Sequence, residues 1–157
     1  MKDEMQNIKK IAIFRVLQLG DMLCIIPAMR ALRFAYPDAE ITLVGLSWAK
    51  SFVERFSTYF DKFIHFPGYH NLPGQPFYDE KFEIFLNKMR EAQFDLLIQM
   101  QGDGTIVNPL MFEFGAINVA GFYNKESFVD SPLFITYPDY CTEIHRHLLL
   151  MQHLGIL

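Results

Sequence analysis

"IAIFRVLQLGDMLCIIPAMRALRFAYPDAEITLVGL" (residues 11–46) decides the fold. Its first seven residues, IAIFRVL (11–17), are apolar and rich in β-formers, and they read as a buried strand. Gly20 then turns the chain, and Asp21 stands before a second apolar stretch. Ile25, Met29, Leu32 and Tyr36 recur at spacings of 4, 3 and 4, which predicts one face of an amphipathic helix, with Arg30 and Arg33 turned away from it. Pro27 cannot donate to the helical ladder, and its ring crowds the carbonyl four residues back. Residues 20–26 are therefore expected as a distorted first turn or a loop, with the regular helix starting near Pro27. YPDAE (36–40) is a turn, and ITLVGL (41–46) is a second strand.

The same alternation runs outward along the chain. SWAKSFVERF (47–56) predicts a short helix capped by Ser47, and DKFIHF (61–66) a third strand. PGYHNLPGQPFYD (67–79) packs three Pro and two Gly into 13 residues, a long loop of the kind that more often carries function than not. A helix over 80–93 presents Phe82, Phe85, Leu86 and Met89 on one face; FDLLIQM (94–100) is a fourth strand and QGDGT (101–105) a Gly-rich turn. A helix over 106–115 ends at Gly115, INVAGF (117–122) is a fifth strand, 123–140 is irregular, and 141–155 is a final helix stopped by Gly155. Strands apolar on both faces that alternate with helices predict a parallel sheet covered on both sides. The expectation is a single Rossmann-like α/β domain over 1–157. Ligands of such sheets sit at the carboxyl ends of the strands. The Gly20–Asp21 turn, the 67–79 loop and the 101–105 turn all fall on that edge.

Composition narrows the partners. A chain of 157 residues, 51% hydrophobic, can bury a real core. A net charge of −4 argues against a nucleic-acid partner, which calls for a basic face. Cys24 and Cys141 have no metal spacing and read as free thiols of a cytoplasmic protein. The polar start MKDEMQNIKK has no apolar signal region, and Arg15, Asp21, Arg30 and Arg33 break the longest apolar stretch, so neither a signal peptide nor a membrane span is expected. Peripheral contact with a membrane stays open.

Several residues could carry chemistry. Asp21 is either a helix N-cap or a general base that takes a proton from a substrate hydroxyl; a carboxylate held by backbone N–H groups is the weaker base. QMQGDGT (99–105) reads either as a turn with a cap from Asp103 or Thr105, or as a polar cradle. In the cradle, Gly102 and Gly104 let a ligand approach the backbone while Gln101 bonds it. His145 and His147 point to different faces of one helix, so no metal pair is expected there, and His65, His70 and His153 have no spacing partner. After the first strand only Gly20 is present, so neither a dinucleotide fingerprint nor a phosphate-binding P-loop is legible.

Taken together, these segments resemble the heptosyltransferase family, glycosyltransferase family 9, in its N-terminal half. Residues 11–45 look like the family's opening strand, Gly-Asp turn, Pro-Ala-containing helix and Tyr-Pro-Asp-Ala turn. FPGYHNLPGQPFYD with FDLLIQMQGDGTIVNPLMFEFGAINVAGF (94–122) is similar to a subgroup with a Pro-Gly-rich loop and a Gly-x-Gly turn followed by Asn-Pro-Leu. EIHRHLLLMQHLG (143–155) resembles the last helix of that half.

The resemblance implies a two-domain GT-B enzyme that inverts the anomeric centre without a metal or cofactor. The N-terminal domain takes the acceptor, and the C-terminal domain takes a nucleotide sugar, commonly ADP-heptose. Asp21 would be the base, and Gly20, Gln101, Gly102, Asp103 and Asn108 would lie on the acceptor side. Many members have Asp where this chain has Gln99, so any contact by that carboxylate is missing. The resemblance covers only the acceptor half, so residues 1–157 by themselves are expected to be inactive, and an uncovered apolar face would favour self-association. The implied function is transfer of a sugar to a lipopolysaccharide-core or related glycan, in the cytoplasm or at the inner face of the membrane. The alternatives are a non-catalytic binding or partner domain of the same fold and, more remotely, an unrelated nucleotide-binding α/β domain.

Overall fold

The structure, a computed structural model, describes residues 3–69 and 79–157. Among these residues the chain forms one six-stranded sheet: β1 (Lys10–Phe14), β2 (Glu40–Gly45), β3 (Lys62–His65), β4 (Leu96–Gln99), β5 (Asn118–Tyr123) and β6 (Phe134–Thr136). The strand order is β3-β2-β1-β4-β5-β6, and every pairing is parallel. The chain winds outward from β1 to β3, returns to lay β4 against the other side of β1, and winds outward again. This is the doubly wound α/β arrangement, and its order reverses between β1 and β4.

The sheet is buried on both faces because its side chains alternate between two cores. Ile11 and Ile13 of β1 join one core with Met29 and Leu32 of α2 (Ile26–Ala35), Phe52 of α3 (Ala49–Arg55) and Leu150 of the C-terminal helix. Ala12 and Phe14 join the other, with Phe85 and Met89 of α4 (Asp79–Ala92) and Leu110 of α5 (Asn108–Met111). Phe14 sits edge-on to Phe66 at 5.0 Å, and Phe114 packs beside it. The C-terminal helix, α6 (Glu143–His153), packs against α2.

Several boundaries differ from the sequence reading. Strand β1 ends at Phe14, not residue 17: the Arg15 N–H still bonds Val44 O, but the Val16 N–H turns to the side chain of Gln101. Residues 19–23 form a short helix, α1 (Leu19–Leu23), and the chain breaks around Cys24 and Ile25 before α2, where Pro27 occupies an early position that needs no N–H. Ser47 caps nothing. Helix α3 starts after Trp48, already in a helical conformation, and the Trp48 indole N–H donates to Leu17 O at 3.2 Å. The helix expected over 106–115 is regular only at 108–111; beyond it Glu113 and Phe114 bond three residues back, and Gly115 ends the run at φ +77°. The stretch 123–140 contains β6 and a 3₁₀ turn at Lys125–Ser127. A strand of three residues has no period to read, and the edge of β5 makes it.

Helices α4 and α6 form where expected, α6 capped by Thr142, whose hydroxyl accepts from the His145 N–H. The 67–79 loop falls mostly on 70–78, outside the described residues, as does His70. Among the described residues no helix is long and apolar enough to cross a membrane.

Candidate functional site

The carboxyl ends of β1 and β4 lie side by side at the reversal point; β4 leads into the 101–105 turn, and β1 leads through residues 15–18 into α1, which carries Gly20 and Asp21. Asp21 is the third residue of α1 and is exposed. It is not the N-cap; that place belongs to Gln18, which makes no side-chain cap bond. No carboxylate bond of Asp21 occurs among the described residues, so its oxygens face solvent unspent. Its main-chain carbonyl, by contrast, is gripped by Arg15 through Nε at 3.2 Å and Nη2 at 2.9 Å.

Arg15 is fully buried, and all five of its N–H groups are used. Besides the two bonds to Asp21 O, Nη2 reaches Glu143 Oε2 at 3.2 Å, and Nη1 donates to Met100 O and to His147 Nε2, the latter at 3.1 Å. One guanidinium thus ties the Asp21 turn, the end of β4 and the start of α6 together. Burial first, and the neighbouring Arg15 charge second, push the His147 imidazole down to about 3 against the pull of Glu143. The ring is therefore neutral near pH 7, its Nε2 accepts from Arg15, and its 3.7 Å approach to Glu143 is no ion pair. Burial raises the Glu143 carboxyl, but the bonds and charges of Arg146 and Arg15 outweigh it, and the net direction is down. The sequence held a signal for this hub: one charge inside the apolar run IAIFRVL.

The 101–105 turn is tied to the same place. Gln101 Oε1 accepts from the Val16 N–H at 2.9 Å, which spends its oxygen; its Nε2 makes no bond among the described residues. Gly102 adopts φ +58°, and open space stands where a Cβ would be, as it does at Gly20. A polar ligand can approach the backbone closely at both. Asp103 folds back on the turn: Oδ1 accepts from the Thr105 N–H at 3.0 Å, and Oδ2 accepts from Asn124 Nδ2 at 3.1 Å. Burial raises the Asp103 carboxyl, but these bonds and that of Thr105 hold it below its ordinary value. Neither Asp103 nor Thr105 caps α5, which begins after Val107 without a side-chain cap.

Asn108 lies beneath the turn. It is 4% exposed and its amide is spent inside the protein, Oδ1 accepting from Gln99 Nε2 at 3.0 Å and Nδ2 donating to Phe122 O at 2.8 Å. Gln99 is also buried. Its Nε2 donates to Phe122 O at 3.2 Å and its Oε1 accepts from the Gln101 N–H. Gly121 leaves room for it, since a Cβ there would stand 2.8 Å from Gln99 Cβ. The neutral pair of amides holds the turn from below, a role an Asp at position 99 would fill only with a buried charge.

Gly104 gives a direct test of this support. It adopts φ +78°, and a Cβ there would meet the pinned Asn108 amide at 2.3 Å. Gly104→Ala should cost about 2–4 kcal/mol from left-handed strain and overpacking together. Urea unfolding of the variant checks this, with Gly102→Ala, where space is open, as the smaller comparison.

A cavity of about 230 Å³ among the described residues lies away from these turns: Phe112, Ile117, Asn118 and Leu133 line it at the amino end of β5. Cys24 and Cys141 are free, and among the described residues no group of three or more His, Cys, Asp or Glu gathers at metal-binding range.

No family model matches the chain, and no curated protein matches it in sequence. Solved structures do resemble it. A glycosyl transferase family 9 structure from Veillonella parvula superposes with a TM-score of 0.69 at 20% identity, over 95% of this chain and 42% of that one. The E. coli heptosyltransferase WaaC with ADP-2-deoxy-2-fluoro heptose gives 0.65 at 14% identity, over 93% of this chain and 48% of that one. The same enzyme with ADP gives 0.62 at 15%. At these identities the likeness establishes the Rossmann-like fold, and the chain spans about half the length of the structures it matches.

Proposed function

We propose that this chain is the acceptor-side domain of an inverting glycosyltransferase of family 9, with Asp21 as its base. The observation that carries the reading is the division of labour within Asp21: a main-chain carbonyl clamped by Arg15 and an exposed carboxylate that caps nothing. A carboxylate free of N–H donors is available to take a proton, and one fixed at its backbone holds its place while doing so. The site lies where doubly wound sheets take ligands, and the superposed structures come from a glycosyltransferase family.

In this reading the acceptor hydroxyl lies against Asp21, over Gly20 and Gly102, with the free Gln101 amide as a donor to sugar oxygens. Asp21 removes the hydroxyl proton as the oxygen attacks the anomeric carbon. The bond from that carbon to the nucleotide diphosphate breaks, and the leaving group departs from the opposite face. Donor binding belongs to a domain outside these residues. A heptose donor and a lipopolysaccharide-core acceptor follow the family resemblance. Leu19 and Leu23, exposed on either side of Asp21, offer an apolar rim that suits a lipid-linked glycan at a membrane surface.

Calorimetry on this chain tests the reading. A core-type oligosaccharide should bind, and ADP should not. Tight ADP binding with no glycan binding would instead identify an unrelated nucleotide-binding domain. A non-catalytic relative would bind the glycan but depend on Asp21 for no transfer.

A further inference from the structure

We propose that Arg15, held by Glu143 of α6, is the positioning residue of the site, setting the place of Asp21 through its backbone. The inference rests on the reading of Asp21 as a base, and it makes α6 part of the acceptor site although no α6 side chain is assigned to it.

The geometry is specific to a guanidinium. Two N–H groups converge on Asp21 O, two more join Met100 O and His147 Nε2, and the fifth meets Glu143 Oε2 at 3.2 Å. An ammonium has three donors and no planar fork, so lysine keeps the charge but cannot hold all these partners. Met100 leads directly into the 101–105 turn. The guanidinium therefore fixes the distance between the base and the turn that faces it, while never touching a ligand itself, being fully buried. Glu143 supplies the countercharge, and Arg146 orients it through a second ion pair at its other oxygen. A shift of the Asp21 carbonyl moves the carboxylate with it, and misplacement of about 1 Å can cost about a hundredfold in rate.

The test is a double-mutant cycle in the complete enzyme, with kcat, donor KM and melting temperature measured for each variant. Arg15→Lys should lower kcat about a hundredfold, leave donor KM unchanged, and have no further effect on kcat once Asp21 is already Asn. A purely structural role for Arg15 would lower stability and reduce kcat equally in both backgrounds. That result, or a folded Arg15→Lys enzyme with wild-type kcat, overturns the proposal. If Arg15→Lys does not fold, Glu143→Gln takes its place. A severalfold loss of kcat that vanishes in the Asp21→Asn background supports the proposal, and wild-type kcat overturns it. If Asp21→Asn itself retains full kcat, the reading of Asp21 as a base falls and this inference falls with it. If Asp21→Asn is inactive while the Arg15 variant is not, only the positioning role falls.

Discussion

If Asp21 is the base proposed above, replacing it by Asn in a two-domain glycosyltransferase that contains this chain is expected to lower kcat by about 10²- to 10⁴-fold, the range spanned by general bases, while leaving donor binding intact. Asn has the same shape, and the clamp on the main chain is untouched because Arg15 holds the carbonyl and not the side chain. What the substitution removes is the ability to accept a proton. A merely electrostatic role for the exposed carboxylate near the start of a short helix predicts something different: a stability change of about 0.3–1 kcal/mol and a preserved kcat. Steady-state kinetics and urea unfolding on the same variant separate the two. The unfolding midpoint should barely move, since the carboxylate makes no bond among the described residues that Asn could lose.

Acid is expected to lower stability strongly, through His147. Its ring is 1% exposed, packed 5.6 Å from the Phe122 ring, and its Nδ1 is buried without a partner. The folded value of about 3 lies well below the ordinary 6.5. Between those two values the unfolded chain binds a proton that the folded chain refuses. The stability is therefore fully present above about pH 6.5 and is lost as pH falls towards 3, at about 1.4 kcal/mol per pH unit. From pH 7 to pH 5 the loss should be about 2 kcal/mol. Asp103 and Glu143, with ordinary values of 3.8 and 4.5 and folded values held lower, add acid sensitivity only below that interval. Denaturant unfolding of the wild type and of His147→Gln at both pH values checks the assignment. Glutamine keeps an acceptor for Arg15 and carries no titration, so the slope between pH 7 and pH 5 should flatten. An unchanged slope would place the acid sensitivity elsewhere.

Much of the fold was legible because the sheet is buried on both sides. Strands such as ITLV and LLIQ are buried at every position and apolar at all but one, and the helices between them repeat every three or four residues, so element type needs no tertiary knowledge. Boundaries were less legible because neighbours set them. Phe14 is the last residue of β1 because the side chain of Gln101 takes the Val16 N–H, 85 positions away from it in sequence. The strand β6 exists because β5 presents an edge to it.

The candidate site divides in the same way. Gly20, Asp21 and the Gly102–Gly104 turn announce themselves locally, because a left-handed or tightly approached backbone calls for glycine and the exposed acid follows a strand end. What each polar residue does with its atoms was not legible. Asn108 and Asp103 look equally suited to a ligand on paper, yet one is buried against Gln99 and the other is folded back on Thr105. Arg15 and His147 stand 132 positions apart and meet at 3.1 Å.

A doubly covered parallel sheet, and an acid at position 21 beyond the carboxyl end of its first strand, were thus readable from the residues in order. Periodicity, glycine and proline are local properties, and local properties survive in one dimension. That Asp21 is not a cap, that its carbonyl is held by a buried arginine, and that α6 closes the hub follow from the packed chain alone. Those facts depend on which donors and acceptors remain unpaired once distant segments pack, and in a buried interior each such group must find its partner wherever the fold brings one.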